Sequence, residues 1–147
     1  MYNKYFIPLS LVLLSMMLFG CNGRSQVSGK ITFENGEPLI CGNVKARTDD
    51  GIEVKGIIKQ DGSFTLYEFK TGDGIPSGKQ YKVWIANAIK LIPSTQTFRV
   101  GSMIETGPPT EMCLVHKDFT NADMTSLVLN VPKGAHEISY DIIVKKP

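Results

Sequence analysis

From Val27 onward the chain alternates apolar and polar side chains, and a period of two permits little besides strands. Val27, Gly29, Ile31 and Phe33 face one way, and Ser28, Lys30, Thr32 and Glu34 the other. Val44, Ala46 and Thr48 alternate with Lys45 and Arg47, and Ile52, Val54, Gly56 and Ile58 with Glu53, Lys55, Ile57 and Lys59. Phe64 and Leu66 continue the inner set, with Ser63, Thr65 and Tyr67 outside, and Tyr81, Val83 and Ile85 alternate with Lys82, Trp84 and Ala86. Leu127, Leu129 and Val131, then Ile138, Tyr140, Ile142 and Val144, complete the pattern. Turn residues punctuate it: Asn35-Gly36, Asp49-Asp50-Gly51, Asp61-Gly62, Pro76-Ser77-Gly78 and Pro132-Lys133-Gly134. Asp61-Gly62 between two alternating runs predicts a hairpin. The segment 88–113 is irregular and reads as an insertion with one or two short strands, one of them over Gln96–Val100. No stretch carries a sustained helical period; Phe119–Ser126 has room for a single turn. The expectation is an all-β domain, an antiparallel sandwich of about seven strands.

The first residues follow another rule. Lys4 precedes an apolar run, Ile7–Phe19, too short for the roughly 20 residues that cross a bilayer and suited to a secretory signal. It ends in Leu18-Phe19-Gly20-Cys21, which resembles the lipobox of bacterial lipoproteins. The resemblance implies cleavage after Gly20, a diacylglyceryl thioether on Cys21 and acylation of its new amino group. One acyl chain holds a protein reversibly and two or more hold it stably, at about 0.8 kcal/mol per buried methylene. The expected division is a signal peptide over 1–20, a small polar lipidated tether over 21–26 and the sandwich over 27–147. The expected place is the cell envelope, on a membrane through the lipid.

The order of motifs in the mature part resembles the carboxypeptidase regulatory-like domain, a transthyretin-like (prealbumin-like) sandwich of bacterial envelope lipoproteins. The residues that carry the resemblance are Val27-Ser28-Gly29-Lys30-Ile31-Thr32-Phe33, Asn35-Gly36-Glu37-Pro38-Leu39, Asp61-Gly62-Ser63-Phe64-Thr65-Leu66 and Ile75–Val83. The last departs from the family in a longer turn, Pro76-Ser77-Gly78-Lys79-Gln80-Tyr81. Phe119–Gly134 is similar to the closing hairpin of the small lipoprotein subgroup. Together these cover about residues 27–86 and 115–144. The resemblance implies a non-catalytic folding or interaction module.

The chemistry available is limited. The chain has 147 residues, 16 Lys+Arg against 14 Asp+Glu, and a formal charge of +2, interspersed without a basic run, so no nucleic-acid partner is expected. No phosphate loop, nucleophile elbow or clustered His/Asp/Glu set occurs, so neither enzyme, metal nor cofactor is expected. His116-Lys117-Asp118 puts an imidazole near a carboxylate with no nucleophile beside it, and His136 has only Glu137 next to it. Asp49, Asp50, Glu53, Asp61 and Asp73 fall at turns, which Asp-Gly chemistry explains without calcium. With Cys21 lipidated, Cys41 and Cys113 remain. They form either a disulfide closing a loop of about 72 residues, contributing about 4 kcal/mol on the loop-entropy account, or two separate buried thiols. Trp84, Tyr67 and Ile57 fall on the outward sets. Either the insertion 88–113 folds back over them, the favoured expectation, or they form a surface for a partner or a sugar. The function expected is a non-catalytic lipid-anchored envelope module with a structural or protein-interaction role; the alternative is a carbohydrate- or peptidoglycan-binding domain.

Overall fold

The computed structural model describes residues 23–147; the expected signal peptide over 1–20, Cys21 and Asn22 lie outside the described residues. These residues form an all-β structure of thirteen strands, more than the seven expected. In chain order they are β1 (Arg24–Phe33), β2 (Asn43–Arg47), β3 (Glu53–Ile57), β4 (Ser63–Leu66), β5 (Ile75–Pro76) and β6 (Lys79–Ala86). The insertion contributes β7 (Ile89–Ile92), β8 (Thr97–Val100), β9 (Met103–Thr106) and β10 (Thr110–Cys113). β11 (Val128–Val131), β12 (Glu137–Ser139) and β13 (Ile142–Val144) close the chain. The excess over seven comes from the four strands of the insertion, from the short β5 and from a C-terminal run split in two.

Two sheets share one core. The first is built on β1, which pairs with β4, β5, β12 and β13; the second has the order β11-β6-β2-β3. The inward sets read from the sequence meet between them. Val27, Ile31, Phe64, Leu66, Ile142 and Val144 come from the first sheet, and Val44, Val54, Tyr81, Val83, Ile85, Leu129 and Val131 from the second. Tyr81 is fully buried and donates its hydroxyl to the Pro76 carbonyl at 2.8 Å. Burial pushes that hydroxyl up to about 12.

The expected Asp61-Gly62 hairpin is bonded only at its two ends, and both this turn and Pro132–Gly134 carry the chain between the sheets. The Asp61-Gly62 turn closes locally, with Lys59 N–H donating to the Ser63 carbonyl at 2.9 Å. Beyond it the strands part: β3 pairs with β2, and β4 with β1 in the other sheet. They meet again only where Lys55 and Tyr67 exchange backbone hydrogen bonds of 3.0 and 2.9 Å. The Pro132–Gly134 turn likewise carries the chain from β11 in one sheet to β12 in the other. The sandwich is not purely antiparallel either, because β12 and β13 run parallel to β1. An Asp-Gly or Pro-x-Gly turn reverses the chain, but the strand with the better-matched buried face decides the pairing.

Part of the segment 21–26 expected to be tether is strand. Arg24 and Ser25 already belong to β1, in register with Pro76 and Ile75. Two polar side chains of that segment are engaged: Ser25 Oγ donates to the Ala135 carbonyl at 2.5 Å, and the Arg24 guanidinium donates to the Asp73 and Gly74 carbonyls and pairs with Glu68 at 2.7 Å. The strand therefore starts at the first residues after Gly23.

Asp61 is expected to contribute stability that is lost in acid. Its carboxylate accepts from Ser63 Oγ at 2.6 Å and Ser63 N–H at 3.0 Å, and these bonds hold it below the ordinary carboxylate range. A carboxylate depressed in the folded state stabilises above its unfolded value and loses that contribution as pH falls through the folded one. The melting temperature of Asp61→Ala is therefore expected to fall less than that of the native chain between pH 7 and pH 3. Equal acid sensitivity in thermal melts would remove Asp61 from this role.

Candidate functional site

The outward face of the second sheet collects cations and aromatics. β2 and β6 set Trp84 opposite Lys45, β2 and β3 set Lys45 opposite Lys55, and Lys55 bridges to Tyr67. One row across four chain segments thus reads Trp84–Lys45–Lys55–Tyr67. At the spacing of neighbouring strands, the two aromatics stand about 14 Å apart. The adjacent row is Val128–Lys82–Arg47–Glu53. The Arg47 guanidinium lies over the Trp84 ring, 5.9 Å from its centroid, and the Lys55 ammonium lies at the same distance over Tyr67. Such contacts contribute about 0.5–1 kcal/mol at exposed sites and hold the cation in place. Among the described residues only Lys45 of the four cations has a carboxylate partner, Glu53 at 3.3 Å.

The insertion does not cover this face as expected. β7 pairs with β10 and β8 with β9, forming a ribbon that hydrogen-bonds to itself, and Ile57 remains 61% exposed. Trp84 and Tyr67 are half-buried, each with a cation over its ring. They are braces for charge rather than open stacking platforms. Of this face, sequence reading singled out Trp84, Tyr67 and Ile57 and passed over Lys45, Arg47, Lys55 and Lys82. The signal was present, since all four occupy outward positions of alternating runs, but only strand order shows them to be neighbours.

The ribbon itself is apolar and exposed. Leu91 is 57% and Ile104 74% accessible, and Ile89, Ile92, Val100, Met103 and Met112 are also exposed. Its root leaves β6 after Ala86, whereas Gly23 accepts from Ser77 N–H just before β6 begins. β6 spans eight residues, roughly 25 Å of strand, so the ribbon emerges at the end of the sandwich away from Gly23.

Cys41 and Cys113 line one groove at that root, of about 790 Å³, together with Phe33, Leu39, Ile40 and Met112. No bond joins them: both are free thiols. Cys41 Sγ is directed at the Ile89 carbonyl at 3.7 Å, and Cys113 Sγ at the Val115 carbonyl at 3.0 Å. Cys113 is itself the cross-strand partner of Ile89. Exposed Cys113 is expected to react with a maleimide several-fold faster than half-buried Cys41. Equal rates, read by mass spectrometry of the modified chain, would contradict this arrangement.

His116 and Asp118 do meet, with Nδ1 and Oδ2 3.3 Å apart. In the neutral imidazole Nδ1 instead accepts from Asp118 N–H at 3.4 Å, capping the single 3-10 turn Lys117–Phe119. Both side chains are exposed. His136 lends only its carbonyl, to Gln26 N–H at 2.7 Å. Among the described residues no three His, Cys, Asp or Glu side chains group as a metal site, and no helix is long and apolar enough to cross a membrane.

No family model matches the chain, and no curated protein matches it. Among solved structures, the crystal structure of a 9R-lipoxygenase from Cyanothece PCC8801 is similar at 14% identity and a TM-score of 0.33, covering 82% of this chain and 16% of that one.

Proposed function

We propose that this protein is a non-catalytic, lipid-anchored module of the bacterial cell envelope that meets a protein partner through the ribbon β7–β10. The observation that carries the reading is the ribbon's exposed apolar surface at the end away from Gly23. A two-stranded ribbon is at best marginally stable in water, and contiguous apolar exposure on a domain surface marks a contact site. The lipobox at Leu18–Cys21 supports an anchor on Cys21, and the motif order of 27–86 and 115–144 supports membership among the carboxypeptidase regulatory-like, transthyretin-like sandwiches. Acyl chains at one end and a ribbon at the other suit a protein that works by position. Tethering to a surface raises the effective concentration toward membrane neighbours without any new contact.

The test separates anchor from contact. Cys21→Ser is expected to abolish incorporation of an alkyne-tagged fatty acid and to release the chain from the membrane fraction. Leu91→Asp with Ile104→Asp is expected to keep the lipid and lose the principal crosslink to an envelope neighbour in intact cells. Crosslinking unchanged in that variant would remove the ribbon from the interaction, and label retained in Cys21→Ser would remove the anchor.

A second reading, carbohydrate binding, is favoured by the row Trp84–Lys45–Lys55–Tyr67 on the outward sheet face.

A further inference from the structure

We infer that the outward face of the sheet β11-β6-β2-β3 binds an anionic polysaccharide, laid across the strands along the row from Trp84 to Tyr67. The inference rests on the carbohydrate reading and narrows it to chains bearing carboxylates. Three features of the face carry it.

The first is charge. Lys45, Arg47, Lys55 and Lys82 share the face with Glu53, and Glu53 engages Lys45. Arg47, Lys55 and Lys82 have no carboxylate partner among the described residues, so the face presents uncompensated positive charge on a chain whose formal net charge is only +2. Like charges on adjacent strands repel, a cost that a bound polyanion would offset.

The second is shape. The groups lie in a line, and a line suits a polymer. Neighbouring strands are about 4.8 Å apart. That step is close to the advance of an extended pyranose chain per sugar, so a polyuronate crossing the strands would bring successive sugars over Trp84, Lys45, Lys55 and Tyr67.

The third is the state of the aromatics. Arg47 and Lys55 already sit over the Trp84 and Tyr67 rings, 5.9 Å from each centroid. Neutral sugars and unstacked bases need open rings to stack upon. Here the rings hold cations in position, which lowers the entropy lost when a carboxylate binds. Arg47 adds a planar fork matched to a carboxylate's two oxygens.

The experiment is affinity electrophoresis of the full chain in detergent, through native gels containing polygalacturonate, neutral dextran or no polymer. Fluorescence titrations with a thymidine oligonucleotide and flotation with phosphatidylglycerol vesicles run alongside. Polygalacturonate is expected to retard the native chain, increasingly at low salt, and dextran is not. Lys45→Gln with Lys55→Gln is expected to weaken the binding at least tenfold, and Arg47→Gln several-fold. Lys133→Gln, in the Pro132–Gly134 turn off this face, is expected to change nothing. Melting curves matching the native chain's verify that the variants are folded.

Equal retardation by dextran would overturn the anionic assignment and leave the carbohydrate reading standing. No retardation by either polymer would overturn both. Binding to the oligonucleotide or vesicles tighter than to polygalacturonate, and lost in the double variant, would give the face to that partner and overturn the inference.

Discussion

Gly29→Ala is expected to destabilise the fold by about 3 kcal/mol or more, at the upper end for a single methyl group. Gly29 lies in the middle of β1, where β12 ends and β13 begins. Between those strands the chain turns so that Tyr140 N–H donates to the Ser28 carbonyl at 2.8 Å. The Tyr140 carbonyl then lies over Gly29, on the position a Cβ would occupy. The obstacle is backbone, held on both sides: the Asp141 carboxylate accepts from Lys30 N–H at 2.8 Å where a ladder carbonyl would otherwise stand. An added methyl therefore cannot be accommodated by rotating a side chain. Denaturant unfolding of the full chain is the measurement. A midpoint unchanged within error would show that β1 and the β12–β13 junction separate easily, contrary to this packing.

Phe64→Ala is expected to cost about 3–5 kcal/mol, the range for a buried aromatic truncated in a core. Phe64 is 1% exposed and is the cross-strand partner of Gly29. Its ring tip comes to 3.1 Å from the site of the missing Gly29 Cβ, so the aromatic covers the space that glycine leaves open. Truncation opens a cavity and uncovers the centre of β1 at once. Because the two residues touch, the double variant should depart from the sum of the single effects by more than about 0.5 kcal/mol. Additive losses would mean that the ring and the glycine act independently. Phe64→Leu, which restores most of the volume, is expected to recover most of the loss.

These two positions show how far the residues could be read in advance. Gly29 and Phe64 were assigned to the inward sets of their strands by alternation alone, and both are inward. Their being partners was not readable, because the Asp61-Gly62 turn pointed Phe64 toward β3 rather than β1. Arg24 and Ser25 escaped for another reason. Polar residues read as linker, and only backbone pairing with Pro76 and Ile75, distant in sequence, makes them strand. The insertion is irregular in sequence and offers no period from which its partner can be read; it pairs with itself rather than covering the sheet.

The candidate face follows the same division. The outward placement of Lys45, Arg47, Lys55, Lys82, Trp84 and Tyr67 is a matter of period two, so each residue's side of its strand was determined locally by the pleat. Backbone hydrogen bonds are alike for every strand pair and carry no information on partners. Which strands become neighbours is settled by how whole buried faces fit across the core, over separations of tens of residues. The amino-acid order alone thus determined the inner and outer sides of the alternating strands. Tertiary packing alone decided that four dispersed cations and two aromatics share one surface, because charge becomes a patch only when distant strands are laid side by side.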